Sequence, residues 1–106
     1  MNINVMMRKV QEMQAKMADM QNSLDSVDIT GQSGGGMVVV QANGKAELRK
    51  ITIDPQLINP AEKDLLEDLI VAAVNDAKKR AEEHIAGETQ QIMGDMGLPP
   101  GMKLPF

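Results

Sequence analysis

The chain has 106 residues, a length that sets a prior of one domain. It contains no Cys, Trp or Tyr and a single Phe, against ten Met, and eleven Lys+Arg oppose fifteen Asp+Glu for a net charge of −4. These figures exclude a disulfide framework, a thiolate zinc site and a thiol nucleophile. They also exclude the aromatic platforms on which single-strand and RNA binders stack bases. No segment approaches the roughly 18–20 consecutive apolar residues of a membrane span, and the start lacks the apolar run and cleavage site of a leader, so a soluble cytoplasmic protein is expected.

Ile3, Met6, Val10, Met13, Met17, Met20, Leu24 and Val27 recur in alternating steps of three and four, with no Gly or Pro until Gly31. This a/d pattern predicts one long helix with a narrow seam for partner helices. At 1.5 Å per residue, 24 residues reach roughly 36 Å. The β-branched alternation Val27-Asp28-Ile29-Thr30 predicts a short strand, and Gly31-Gln32-Ser33-Gly34-Gly35-Gly36 a flexible connector.

Met37 to Ala42 and Lys45 to Ile53 flank Asn43-Gly44, the dipeptide that favours a type I′ hairpin turn. A two-residue loop pairs Ala42 with Lys45, Val40 with Glu47 and Val38 with Arg49 on one face. It pairs Gln41 with Ala46, Val39 with Leu48 and Met37 with Lys50 on the other. In that register both faces carry apolar groups, and Ile51 and Ile53 fall on the Val38/Val40 face. Either a bulge re-aims the strand or both faces are covered, the second by another chain.

Asp54-Pro55 ends the strand. Asn59-Pro60-Ala61-Glu62 reads as a helix start, with Asn59 as N-cap, Pro60 at N1 and Glu62 at capping-box spacing. Leu65, Leu66, Leu69, Ile70, Ala73, Val74, Ala77, Ala81 and Ile85 mark the buried face of this second helix, and Gly87 is a candidate break. The Pro-rich end, Leu98 to Phe106, is not read as regular structure. The expected organisation is one α+β domain over residues 1–93, a three-stranded antiparallel sheet between two long helices, and a flexible tail over 94–106.

Little here supports catalysis. The only histidine, His84, lies on a helix beside Glu82 and Glu83 and reads as a surface residue, with no anchored nucleophile and base. Gly34-Gly35-Gly36 lacks the Lys-Ser/Thr and the following helix of a phosphate loop. Glu62, Asp64, Glu67 and Asp68 suit the positive end of a helix better than a metal, and the seam methionines suit packing better than copper. No catalytic residue, metal, cofactor or small-molecule substrate is expected.

Charge distribution says more than its sum. Residues 1–53 carry six basic and five acidic side chains, and residues 54–106 five and ten, so the halves stand at +1 and −5. The basic residues gather at Arg8, Lys9 and Lys16, at Lys45, Arg49 and Lys50, and at Lys78, Lys79 and Arg80. Three successive helical residues fan around more than half the circumference, so each protomer offers a small patch and two-fold symmetry would double it.

Several segments in order resemble the YbaB/EbfC family of bacterial nucleoid-associated proteins: Met13-Gln14-Ala15-Lys16-Met17, Thr30 to Val38, Ile53-Asp54-Pro55, Leu66 to Ala77 and Leu98 to Lys103. The resemblance runs over nearly the whole chain. It implies a homodimer whose helices project as a clamp, double-stranded DNA as partner, a cytoplasmic, nucleoid-associated location and no enzymatic activity. DNA contact is attributed in the family to the helical arms, which here hold Arg8, Lys9 and Lys16, and Lys78, Lys79 and Arg80. Glu82 and Glu83 beside the second cluster make this chain more acidic than an ordinary architectural DNA protein. The competing reading is a protein-interaction module whose Met-lined seam docks a partner, with DNA binding incidental.

Overall fold

A computed structural model describes residues 2–95 and 97. The fold is α+β: helix α1 (Ile3–Ser23), strands β1 (Ile29–Ser33), β2 (Val38–Ala42) and β3 (Leu48–Ile53), and helix α2 (Lys63–Asp95). The sheet is antiparallel in the order β1-β2-β3. The chain divides into two compact units, Met1–Ser23 with Ile85–Phe106, and Leu24–His84.

In the first unit Met13, Met20, Ile92 and Met93 are buried. Of the eight predicted seam positions, Met13, Met20 and Leu24 are buried, Met17 and Val27 are half-buried, and Ile3, Met6 and Val10 are exposed. The helix stops at Ser23 and a single 3-10 turn, Leu24–Ser26, follows it, so the predicted helix is shortened by a turn. Gly87 does not end α2. A helical glycine costs about 1 kcal/mol relative to alanine, too little to stop a helix of 33 residues. Gly94 and Asp95 also lie within α2, while 96 and 98–106 of the expected tail fall outside the described residues.

The second unit is built around fully buried Val38 and Val40, packed with Leu57, Ala73 and Ala77. Burying each valine contributes about 1.5–3 kcal/mol. The alanines of α2 allow β1 to approach closely. A Cβ placed on Gly31 would lie 2.4 Å from the Ala77 nitrogen and 2.6 Å from the Ala73 oxygen. Gly31 is therefore a strand residue and not the start of a connector: against the predicted Val27–Thr30, β1 starts two residues later, at Ile29, and runs three residues further, to Ser33. The Ser33 hydroxyl donates to the Leu69 carbonyl at 2.5 Å, and the Gln32 N–H donates to Asp76 Oδ2 at 2.9 Å. Leu65, predicted on the buried face of α2, is 46% exposed.

The hairpin exists, but its register differs from the two-residue loop. Val38 pairs with Ile53, Val40 with Ile51, Gln41 with Lys50 and Ala42 with Leu48, with an irregularity at Gln41/Ala42. Within the hairpin loop positive φ falls on Ala46 (φ 62) and not on Asn43 or Gly44, which rules out a type I′ turn. Gly44 is used for close approach: its N–H donates to the Leu24 carbonyl at 2.9 Å, and a Cβ there would meet Leu24 Cδ2 at 2.7 Å. Buried Asn43 closes the longer loop, its Oδ1 accepting from the N–H groups of Lys45 (2.9 Å) and Glu47 (3.0 Å) and its amide donating to Glu47 Oε1 (2.9 Å).

This register resolves the two-faced sheet. Ile29, Gly31, Ser33, Val38, Val40, Ala42, Ile51 and Ile53 share the face packed on α2, and Thr30, Gln32, Val39, Gln41, Lys50 and Thr52 share the other. The bulge supplies the explanation, and a second chain is not needed to cover an apolar outer face. At the start of α2, Asn59 Oδ1 accepts from the Ala61 N–H at 3.0 Å above Pro60, as its capping signal predicts. The turn Pro60–Glu62 is 3-10: the Asn59 side chain caps Ala61 and not Glu62, and the Asn59 N–H goes to the Leu57 carbonyl at 3.0 Å, so an N-cap forms but the reciprocal capping box does not.

Candidate nucleic-acid interface

Arg8, Lys9 and Lys16 are exposed on α1, and none forms an ion pair among the described residues. Seven residues turn a helix through nearly two full circles, so Lys9 and Lys16 lie on one side about 10 Å apart, with Arg8 about 100° around. Glu12 is the carboxylate within one turn of all three. A rigid helix holding unpaired cations at that spacing can contact successive anionic groups without spending entropy on ordering a loop.

On α2 the buried alanines fix where the second cluster points. With Ala77 directed to the sheet, Lys79 lies 200° away on the outer side, Lys78 lies on one flank and Arg80 on the other. Arg80 thereby shares a flank with Asp76, and its Nε donates to Asp76 Oδ2 at 3.1 Å. The same oxygen accepts from Gln32, and these bonds, the Gln32 N–H first and Arg80 second, hold the Asp76 carboxyl below the ordinary carboxylate range. Of the three predicted α2 contacts, Lys78 and Lys79 are thus exposed without an ion pair among the described residues, while Arg80 is engaged by the fold.

The hairpin cations are also divided. Lys45 Nζ pairs with the Asp25 carboxylate at 3.0 Å, and Arg49 donates to the Asp25 backbone carbonyl. Lys50 is exposed and makes no ion pair among the described residues. Asp76 was not singled out by motif, although its spacing of four residues from Arg80 carries the signal. Asp25 lies 20 and 24 residues from its partners and leaves no such signal.

His84 is half-buried and engaged, in place of the expected surface position. No group of three or more His, Asp or Glu is placed to hold a metal ion among the described residues, and Glu67 of the acidic first turns pairs with Lys63 at 2.7 Å. No described helix is long and apolar enough to cross a membrane.

Residues 1–96 match the model of the YbaB/EbfC DNA-binding family. A nucleoid-associated protein of Granulibacter bethesdensis is 52% identical over 105 residues, covering 99% of this chain and 98% of that one. One of Rhodospirillum centenum is 50% identical with the same coverage. The crystal structure of an uncharacterized protein from Helicobacter pylori superposes with a TM-score of 0.72 at 26% identity, covering 89% of this chain and 99% of that one.

Proposed function

The chain belongs to the YbaB/EbfC DNA-binding family, and from that premise we propose that it binds double-stranded DNA as a homodimer, mainly through phosphates and without catalysing a reaction. It would act at the nucleoid, shaping its organisation and gene expression, in keeping with the nucleoid-associated names of its relatives. The observation that carries the reading is the set of exposed, unpaired cations Arg8, Lys9 and Lys16 on α1, seconded by Lys78 and Lys79 on α2. Arg80 contributes less, because Asp76 already holds it. Phosphate contact needs neither aromatic rings nor a positive net charge, only local cations where the backbone passes.

Dimerisation is supported by apolar surface left on the single chain. Ile3, Met6 and Val10 are 70%, 49% and 46% exposed along one stripe of α1, and Leu48 and Ile51 are exposed on β3, a strand at the sheet's edge. Sedimentation equilibrium at micromolar concentration is expected to show a dimer, and a folded monomer there would remove this part of the proposal.

The DNA reading is tested by fluorescence anisotropy with a labelled 30-base-pair duplex across a salt series. Each neutralised phosphate contributes about −0.9 to the slope of log K against log salt, so losing three contacts flattens it by about 2.7 per protomer. Between 50 and 200 mM salt that component is worth about 40-fold in affinity. The variant R8A/K9A/K16A is expected to lose it. A salt-independent wild-type affinity, or a triple variant with an unchanged slope, contradicts phosphate binding by α1.

A further inference from the structure

We propose that the outer face of the sheet is a second contact surface for duplex phosphates, independent of the helical clusters; this rests on the DNA-binding reading above. The register lines up Thr30, Gln41 and Lys50 across the three strands, with Gln32, Val39 and Thr52 in the next row. Strands lie about 4.8 Å apart, so each row spans roughly 10 Å. Five of the six side chains are exposed hydrogen-bond donors, and Val39 alone is apolar and half-buried. Although acidic residues outnumber basic ones in this chain, fifteen to eleven, none stands in either row.

At one end the row borders a hollow of about 410 Å³ lined by Asp28, Ile29, Thr30, Gln41, Ala42 and Arg49. The guanidinium of Arg49 is oriented by the Asp25 carbonyl, a neutral acceptor, while the Asp25 carboxylate is taken up by Lys45. Arg49 is therefore held in place with its charge available, and Lys50 stands beside it in sequence without an ion pair among the described residues. Asp28 is the carboxylate among the residues lining the hollow and opposes an anion there, so the contact proposed is with the row that ends at Lys50.

The chemistry selects the partner. Hydroxyl, amide and ammonium donors on a rigid surface match phosphate oxygens. Without an aromatic ring the face offers unstacked bases nothing, and one half-buried valine gives an apolar protein surface little to bury.

The test uses two substitutions at exposed outer-face positions, Lys50→Ala and Gln41→Glu, with circular dichroism to confirm the fold and the salt-series anisotropy assay as readout. K50A is expected to flatten the slope by about 0.9 per protomer, so that its deficit against wild type shrinks about 3.5-fold from 50 to 200 mM salt. Q41E, which places a carboxylate in the middle of the row, is expected to weaken binding at low salt on every duplex sequence tried. If both variants keep wild-type affinity and slope while R8A/K9A/K16A loses them, the sheet face is not a contact and the helical reading stands. If wild type shows no salt-dependent affinity, both readings fall together.

Discussion

Replacing Gly31 by alanine tests the central packing relation of the second unit. The new Cβ would sit 2.4 Å from the Ala77 nitrogen, 2.6 Å from the Ala73 oxygen and 2.7 Å from the Ala77 Cα. All three are backbone atoms of α2, so no rotamer change relieves the clash, and β1 must retreat by about 1 Å to regain van der Waals contact. That retreat stretches the Ser33–Leu69 and Gln32–Asp76 hydrogen bonds, worth about 1 kcal/mol each, and overpacking adds about 1–3 kcal/mol. A loss of about 3 kcal/mol is expected. With a urea m-value of about 1–2 kcal/mol/M, the unfolding midpoint falls by about 2 M. Wild type and variant are compared at one protein concentration, because self-association would shift both. Gly87→Ala serves as the control: its Cβ enters open space inside α2, and it is expected to stabilise by up to about 1 kcal/mol. A G31A midpoint no lower than wild type would refute the close-approach argument.

Asn43→Ala removes the acceptor of the Lys45 and Glu47 N–H groups at a residue only 3% exposed, and about 2 kcal/mol of stability is expected to go with it; a urea midpoint unchanged from wild type would show that the backbone alone holds the loop. Asp76→Asn tests the acceptor shared by Gln32 and Arg80. Because the folded carboxyl titrates below its unfolded value, its contribution is full above the ordinary carboxylate range and disappears as pH falls through the folded value. The stability gap between wild type and D76N, followed by urea denaturation from pH 7 to pH 3, is therefore expected to shrink on acidification. A gap that stays constant contradicts the assignment.

Local signals led to correct structure where the local backbone decides the outcome. Asn59-Pro60 caps and opens the second helical segment as its chemistry requires, and the alternation around Asn43-Gly44 does become a hairpin. The errors fall where a distant contact competes with a local preference. Gly31 reads as a chain breaker until α2 is in place, when it becomes the residue whose missing side chain lets a strand reach a helix. Gly44 reads as a source of positive φ, but Leu24 claims its N–H and its empty side, and the loop lengthens and shifts the register. Of the candidate site, the exposed cations of α1 were legible from composition and spacing. The withdrawal of Arg80 was legible only in part, since its bond to Asp76 follows helical spacing while the Gln32 N–H that shares that oxygen lies 44 residues away.

Asp76 links the architecture to the interface. A three-stranded sheet has two edges that invite further pairing, and this chain treats them differently. At β1 the Gln32 N–H is occupied by the Asp76 carboxylate, which the helix presents because Ala73 and Ala77 bring it so close. The same carboxylate draws Arg80 to that flank and so subtracts one cation from the α2 cluster. At β3 no strand covers the outer edge among the described residues, and charged Arg49 and Lys50 stand beside exposed Leu48 and Ile51. One edge is thus closed by a carboxylate whose charge Arg80 balances, while Arg49 and Lys50 stand near the other. Local placement of charge of this kind, invisible in a net charge of −4, is what the DNA-binding proposal requires of an acidic chain.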